Sequence, residues 1–226
     1  MFFMGKEVQK MSNFFNADNK LWSGINSAID AILLNMLWLI TCIPIITIGA
    51  ATTAYYYTNH KVIRNQRSSI WTEYWSSFKG NFKQATKTWL IFLVIFVLMY
   101  FDINICSRYL QAGQKIGAMM YLFYGLLAIM LVWFAFVFAY MARFENTMKE
   151  TLKNAAAIAA TNPLSSLLVL VIFAAALFAS WLIPLLIWFI PALAITLLNL
   201  VIEKVFRKYM TPEDLEAEQE NDQMRR

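Results

Sequence analysis

An all-α polytopic transmembrane bundle of five or six spans with an amphipathic interfacial helix is the fold this sequence predicts, and three observations predict it. Of 226 residues 60% are apolar, 16% aromatic and only 15% charged, with a mean hydropathy of +0.52. A soluble chain is about one quarter charged. Five apolar runs, near 31–48, 89–105, 119–141, 164–182 and 185–202, approach the ~20 residues that cross a hydrocarbon core of roughly 30 Å. Lysine and arginine gather in the polar segments between runs, as the positive-inside rule requires. The runs are unbroken rather than alternating, which excludes a β-barrel, and helices alone then satisfy the backbone inside lipid.

The first apolar block reads in two ways. Residues 22–40 and 44–60 make two short spans joined by a turn at Thr41–Pro44, or 29–48 makes one. With six spans, seventeen of the nineteen Lys and Arg lie on the cytoplasmic side, the remaining two being Arg108 and Lys115. With five, the N-terminal tail moves outside and takes Lys6, Lys10 and Lys20 with it. Both arrangements put the C-terminus in the cytoplasm and make the chain a multi-pass membrane protein.

Residues 70–88 are expected to form the interfacial helix. Trp71, Trp75, Phe78 and Phe82 recur at spacings of three and four, while Lys79, Lys83 and Lys87 form a row at every fourth residue. An aromatic face beside a lysine row suits a helix lying along an anionic leaflet, or one docking a partner. Near Ile183 and Pro184 the last two runs are expected to turn back on each other. Pro191 then falls inside the final helix, where loss of one backbone hydrogen bond predicts a kink. Residues 1–210 thus form one membrane domain, and the acidic stretch 211–226 reads as a disordered cytoplasmic tail.

Catalytic constellations are missing. One histidine, His60, and two cysteines, Cys42 and Cys106, show no metal spacing, and no phosphate loop or nucleophile elbow occurs. No enzymatic activity, cofactor, metal or nucleic-acid partner is expected. Ionisable or polar groups within spans are functional candidates because burial in lipid is costly, which singles out Asp30, Asp102 and Asn35. Asp102 and Arg108 read as a snorkelling pair at a span end. Pro44 and Gly49 bracket a break in the first block, followed by small residues suited to close helix packing. Two short echoes, Trp38–Pro44 with Trp188–Pro191 and Phe82–Ala85 with Leu152–Ala155, hint at repeated halves of the kind transporters use.

The segment carrying Asn35, Trp38, Leu39, Pro44, Thr47, Gly49–Ala54 and Tyr56, with Ser77, Phe78 and Asn81–Thr86 after it, resembles the YesL-like family. The resemblance covers roughly residues 14–89. It implies a small polytopic membrane protein, mainly of Gram-positive bacteria, without an established activity and often encoded near carbohydrate ABC transporters. On that basis the expected role is an accessory or regulatory component of a carbohydrate uptake system, in contact with the bilayer and with ABC transporter subunits or a second copy of itself. An independent secondary transporter of a small solute is the alternative, and an enzyme acting on lipid-linked substrates a third.

Overall fold

The computed structural model describes residues 29–64, 69–183, 189–213 and 216. Every regular element among them is helical. The order is α1 (Ile29–Cys42), a 3-10 turn at Ile45–Thr47, α2 (Ile48–Thr58) running on as a π-helical turn at Asn59–Arg64, α3 (Ile70–Gln111), a 3-10 turn at Lys115–Ala118, α4 (Met119–Arg143), α5 (Met148–Thr161), α6 (Pro163–Leu182) and α7 (Ile190–Phe206). Among the described residues three stretches are long and apolar enough to cross a membrane: Ile70–Gln111, Lys115–Arg143 and Pro163–Leu182; α1 is a shorter apolar helix. Their outer surfaces are apolar and open, with Leu164 72%, Leu177 70% and Trp181 77% exposed along α6. An apolar surface this extensive requires lipid or another apolar partner around it.

Helix α2 sits at the centre. Its sequence IGAATTAYYYT carries no charge on any face, and a helix without a charged face can be buried all round; every residue from Gly49 to Tyr56 is buried. Its main neighbour is the N-terminal half of α3. Gly49 sets their separation: a Cβ there would lie 2.6 Å from the Ala85 carbonyl oxygen and 2.6 Å from Trp89 Cβ. The small-residue packing expected at Gly49 is what the helices use. Pro44 caps the 3-10 turn with extended backbone, and the Trp89 indole donates a 2.7 Å hydrogen bond to the Ile45 carbonyl, so the break between α1 and α2 is tied to α3.

The interfacial helix and the next span are not two elements. Helix α3 is continuous over 42 residues, about 63 Å at 1.5 Å per residue, or twice the hydrocarbon thickness. No Pro occurs within it, and the break expected before Trp89 has nothing to cause it. The aromatic row is also turned differently. Tyr74 is fully buried, Trp75, Phe78 and Phe82 pack half-buried against the core, and within the row only Trp71, at 62%, is well exposed. Ring contacts run through Trp75, Phe78 and Phe82 at 5.4 and 5.5 Å. The row thus faces the protein core along with Tyr74 and not open lipid. Lys79, Lys83 and Lys87 are exposed as expected.

Gly113, with φ +76°, ends α3. The Gln114 N–H reaches the Tyr109 carbonyl and the Gly113 N–H the Leu110 carbonyl, both at 3.0 Å, the paired closure of a helix whose next residue is left-handed. At the other end of α4, Thr147 and Glu150 form a reciprocal capping box that starts α5. Helix α5 buries Thr151, Ala155, Ile158 and Ala159 along one face. An amphipathic helix therefore precedes α6 just as the first half of α3 precedes its own span, and the Phe82–Ala85 and Leu152–Ala155 echo falls on those two stretches. Pro163 makes the difference: the residue before proline leaves the helical region, so α5 stops at Asn162 and α6 starts afresh with proline in its first turn.

Pro191 occupies the first turn of α7 rather than its interior. The donor it lacks is one a helix start leaves unpaired anyway, so no kink follows. Residues 184–188, with Pro184 and Trp188, and residues 217–226 of the acidic tail lie outside the described residues.

Candidate functional site

A polar cluster forms where the end of α2, the end of α4 and α7 meet. It begins with local sequence. On α7, Thr196, Asn199, Glu203 and Arg207 recur at intervals of three and four, a polar stripe along an apolar helix. On α2 and the π-helical turn that continues it, Tyr55, Tyr56, Asn59 and His60 present polar groups on consecutive turns, and that turn, Asn59–Arg64, packs against α7. π-turns of this kind are frequent at functional sites. The stripes interlock: the Asn59 amide donates to Thr196 Oγ1 at 2.9 Å, and the Asn199 amide to the Tyr56 carbonyl at 3.4 Å.

Glu203 is the centre of the cluster and is only 4% exposed. Arg143 Nη2, at the end of α4, lies 3.3 Å from its Oε1, His60 Nδ1 3.8 Å from its Oε2, and Arg207 Nε 3.8 Å from its Oε1. A carboxylate this deep is tolerated only with cations against it, and removing one partner from such a set is strongly destabilising. Asn59 Oδ1 and Thr58 Oγ1, both fully buried, accept no hydrogen bond among the described residues. Buried polar atoms without a partner are rare enough to require a reason.

These groups surround a cavity of 220 Å³ whose walls include Tyr56, His60, Arg143, Asn199 and Glu203, closed on the apolar side by Ala139 and Phe206. Lys61 lies at its edge, held by Glu73 at 2.8 Å. Burial draws the Lys61 ammonium down, but hydrogen bonds from it to the Glu73 carboxylate and the Tyr57 hydroxyl outweigh that and hold its pKa above the ordinary lysine value. The arrangement offers both charge signs, an amide and a phenol to a small polar molecule, with no group of three His, Cys, Asp or Glu suited to a metal among the described residues.

Residues 31–103 match the family described as "Protein of unknown function, DUF624". The match takes in α1, α2 and most of α3, hence His60 and Gly49, and stops before Arg143 and Glu203. No curated protein and no solved structure gave a significant match to the chain.

The residues singled out in the sequence divide around this site. Asn35 is buried on α1, and Gly49 packs at the core of the helix that carries His60. Asp30 is half-buried near the start of the described part of α1, and Pro44 and Pro191 sit at helix starts away from the cavity. Asp102 is half-buried and Arg108 exposed, with no ion pair between them among the described residues. Six residues apart on one helix, they point about 120° apart around its axis. None of the cavity's charged groups was among the sequence's candidates. Glu203 and Arg143 fall just past the ends of their apolar runs, where a charge reads as solvated; the signal that finds Glu203 is its stripe with Thr196 and Asn199.

Proposed function

We propose that this chain is an integral membrane protein that binds a small polar solute between α2, α4 and α7 and works in moving that solute across the bilayer. One observation carries the reading: three ionisable side chains, Glu203, Arg143 and His60, converge on a cavity inside a bundle whose outer surface is apolar. Ionisable groups within membrane bundles are costly and mark solute or ion pathways, and a concave site with a few convergent polar groups is the usual form of a small-molecule site. Purified protein in liposomes, given an imposed gradient of each member of a panel of sugars and other small polar solutes, is expected to move at least one. Glu203→Gln should lower that flux at least tenfold; a panel that stays inert with folded protein counts against the reading.

A second reading, an accessory component of an ABC-type carbohydrate uptake system, draws on the family match over 31–103, on the YesL-like resemblance and on one surface. Trp71, Lys79, Lys83 and Lys87 are exposed on the part of α3 that precedes its span. Affinity purification from native membranes should then recover transporter subunits in stoichiometric amounts and lose them in a Lys79→Gln, Lys83→Gln, Lys87→Gln variant. Repeated recovery of this chain alone, or as a homo-oligomer, leaves the first reading standing by itself.

A further inference from the structure

A second polar hollow, of 730 Å³, lies between the first half of α3 and the α4–α5 turn. Gly80, Asn81 and Gln84 form one wall, and Glu145 and Glu150 stand on the other. It is not separate from the cavity at Glu203: Tyr57, Ala142 and Arg143 line both. Arg143 therefore has two surroundings. Its Nη2 faces Glu203 on the inner side, while the residue borders the wider groove on the other. The wall on α3 is shaped for an opening, because a Cβ at Gly80 would meet nothing within 4 Å. That contrasts with Gly49, whose missing Cβ is needed for contact. Among the described residues the cation lining the groove is Arg143 at its inner end, whereas two carboxylates stand at its rim, and a rim of that sign concentrates cations over anions at moderate salt.

Building on the solute-binding reading, we propose that this groove is the entrance to the Glu203 cavity, with Arg143 and Tyr57 as its constriction, and that it admits small polar solutes that are neutral or cationic. The opening uses residues that the cap of α5 already holds in place. Glu150 caps that helix through Thr147, and the Gln84 amide donates to the Asn146 carbonyl at 3.0 Å and to Thr151 Oγ1 at 3.2 Å, which fixes the α4–α5 turn against α3.

Thiol accessibility tests the path without knowing the solute. In a background with Cys42→Ala and Cys106→Ala, Ala139→Cys places one thiol on the wall of the inner cavity, at a residue that does not line the groove. In detergent-purified, monodisperse protein a small cationic methanethiosulfonate reagent is expected to label it, and faster than an anionic one. Gly80→Trp, which fills the groove, should slow labelling at least tenfold, whereas Gly80→Ala should leave the rate unchanged. Glu145→Gln with Glu150→Gln, which keeps a capping side chain at position 150, should bring the cationic and anionic rates together. No labelling of the parent, a rate indifferent to Gly80→Trp, equal slowing by Gly80→Ala, or faster reaction with the anion each overturns the proposal. Solute flux that survives Glu203→Gln while labelling behaves as described would sink the solute reading and leave the path intact; the reverse result would sink the path alone.

Discussion

Arg143 Nη2 at the end of α4 lies 3.3 Å from Glu203 Oε1 on α7, and this pair, sixty positions apart in sequence, ties the two helices together. Glu203 is buried, Arg143 retains some contact with solvent, and His60 from α2 completes the set. Through His60 the first half of the chain joins a pair that belongs to the second.

Breaking that pair from one side should cost far more than removing both charges. Arg143→Met leaves the buried Glu203 carboxyl with the half-exposed Arg207 and His60 as its remaining ion-pair neighbours, and about 3 kcal/mol of destabilisation is expected. Arg143→Met combined with Glu203→Gln should fall well short of the sum of the single effects. Unfolding titrations of the three variants in one detergent check this. Additive losses would mean that the two groups do not interact.

Gly49 on α2 and Gly80 on α3 should respond to alanine in opposite directions. At Gly49 a Cβ would lie 2.6 Å from the Ala85 carbonyl and 2.9 Å from a Phe138 ring carbon, so Gly49→Ala should destabilise by about 1–3 kcal/mol through overpacking. At Gly80 the added methyl meets open space, and Gly80→Ala should stabilise by roughly 0.5–1 kcal/mol from helix propensity alone. Thermal unfolding of the purified variants decides both signs.

The α5 cap gives a pH dependence. The Thr147 hydroxyl, and then its backbone N–H, bond the Glu150 carboxylate and lower its pKa. A group whose folded pKa is depressed contributes stability that is present above its unfolded pKa and lost as pH falls through the folded one. Wild-type protein should therefore lose unfolding temperature below the ordinary carboxylate range more steeply than Glu150→Gln does. Thr147→Ala, which removes the cap itself, should cost about 1 kcal/mol at neutral pH.

Composition and apolar runs made the fold class legible, because lipid imposes length and hydropathy on any helix that crosses it. The break at Pro44 and the packing role of Gly49 were equally readable, since proline and glycine act locally. What the sequence hid depends on tertiary context. The continuity of α3 through Trp89 turns on the absence of a breaker, which hydropathy does not register. The aromatic row at Trp75, Phe78 and Phe82 has the same periodicity whether it faces lipid or the protein core; only the neighbour decides. Glu203 and Arg143 sit at the ends of apolar runs, where one-dimensional reading assigns charges to water, and their meeting rests on how α4 and α7 converge. The start of α7 at Ile190 moved Pro191 from a helix interior to a first turn, and with it went the reason for a kink.

The central claim is that the cavity at Glu203 holds a small polar solute. The most direct measurement is to purify the protein from its native membranes in mild detergent, denature it, and identify the small molecules released, in parallel for wild type, Glu203→Gln and the Lys79→Gln, Lys83→Gln, Lys87→Gln variant. A polar compound enriched with wild type and with the lysine variant, and absent from folded Glu203→Gln, is the predicted result. The same released compounds from wild type and Glu203→Gln would contradict it.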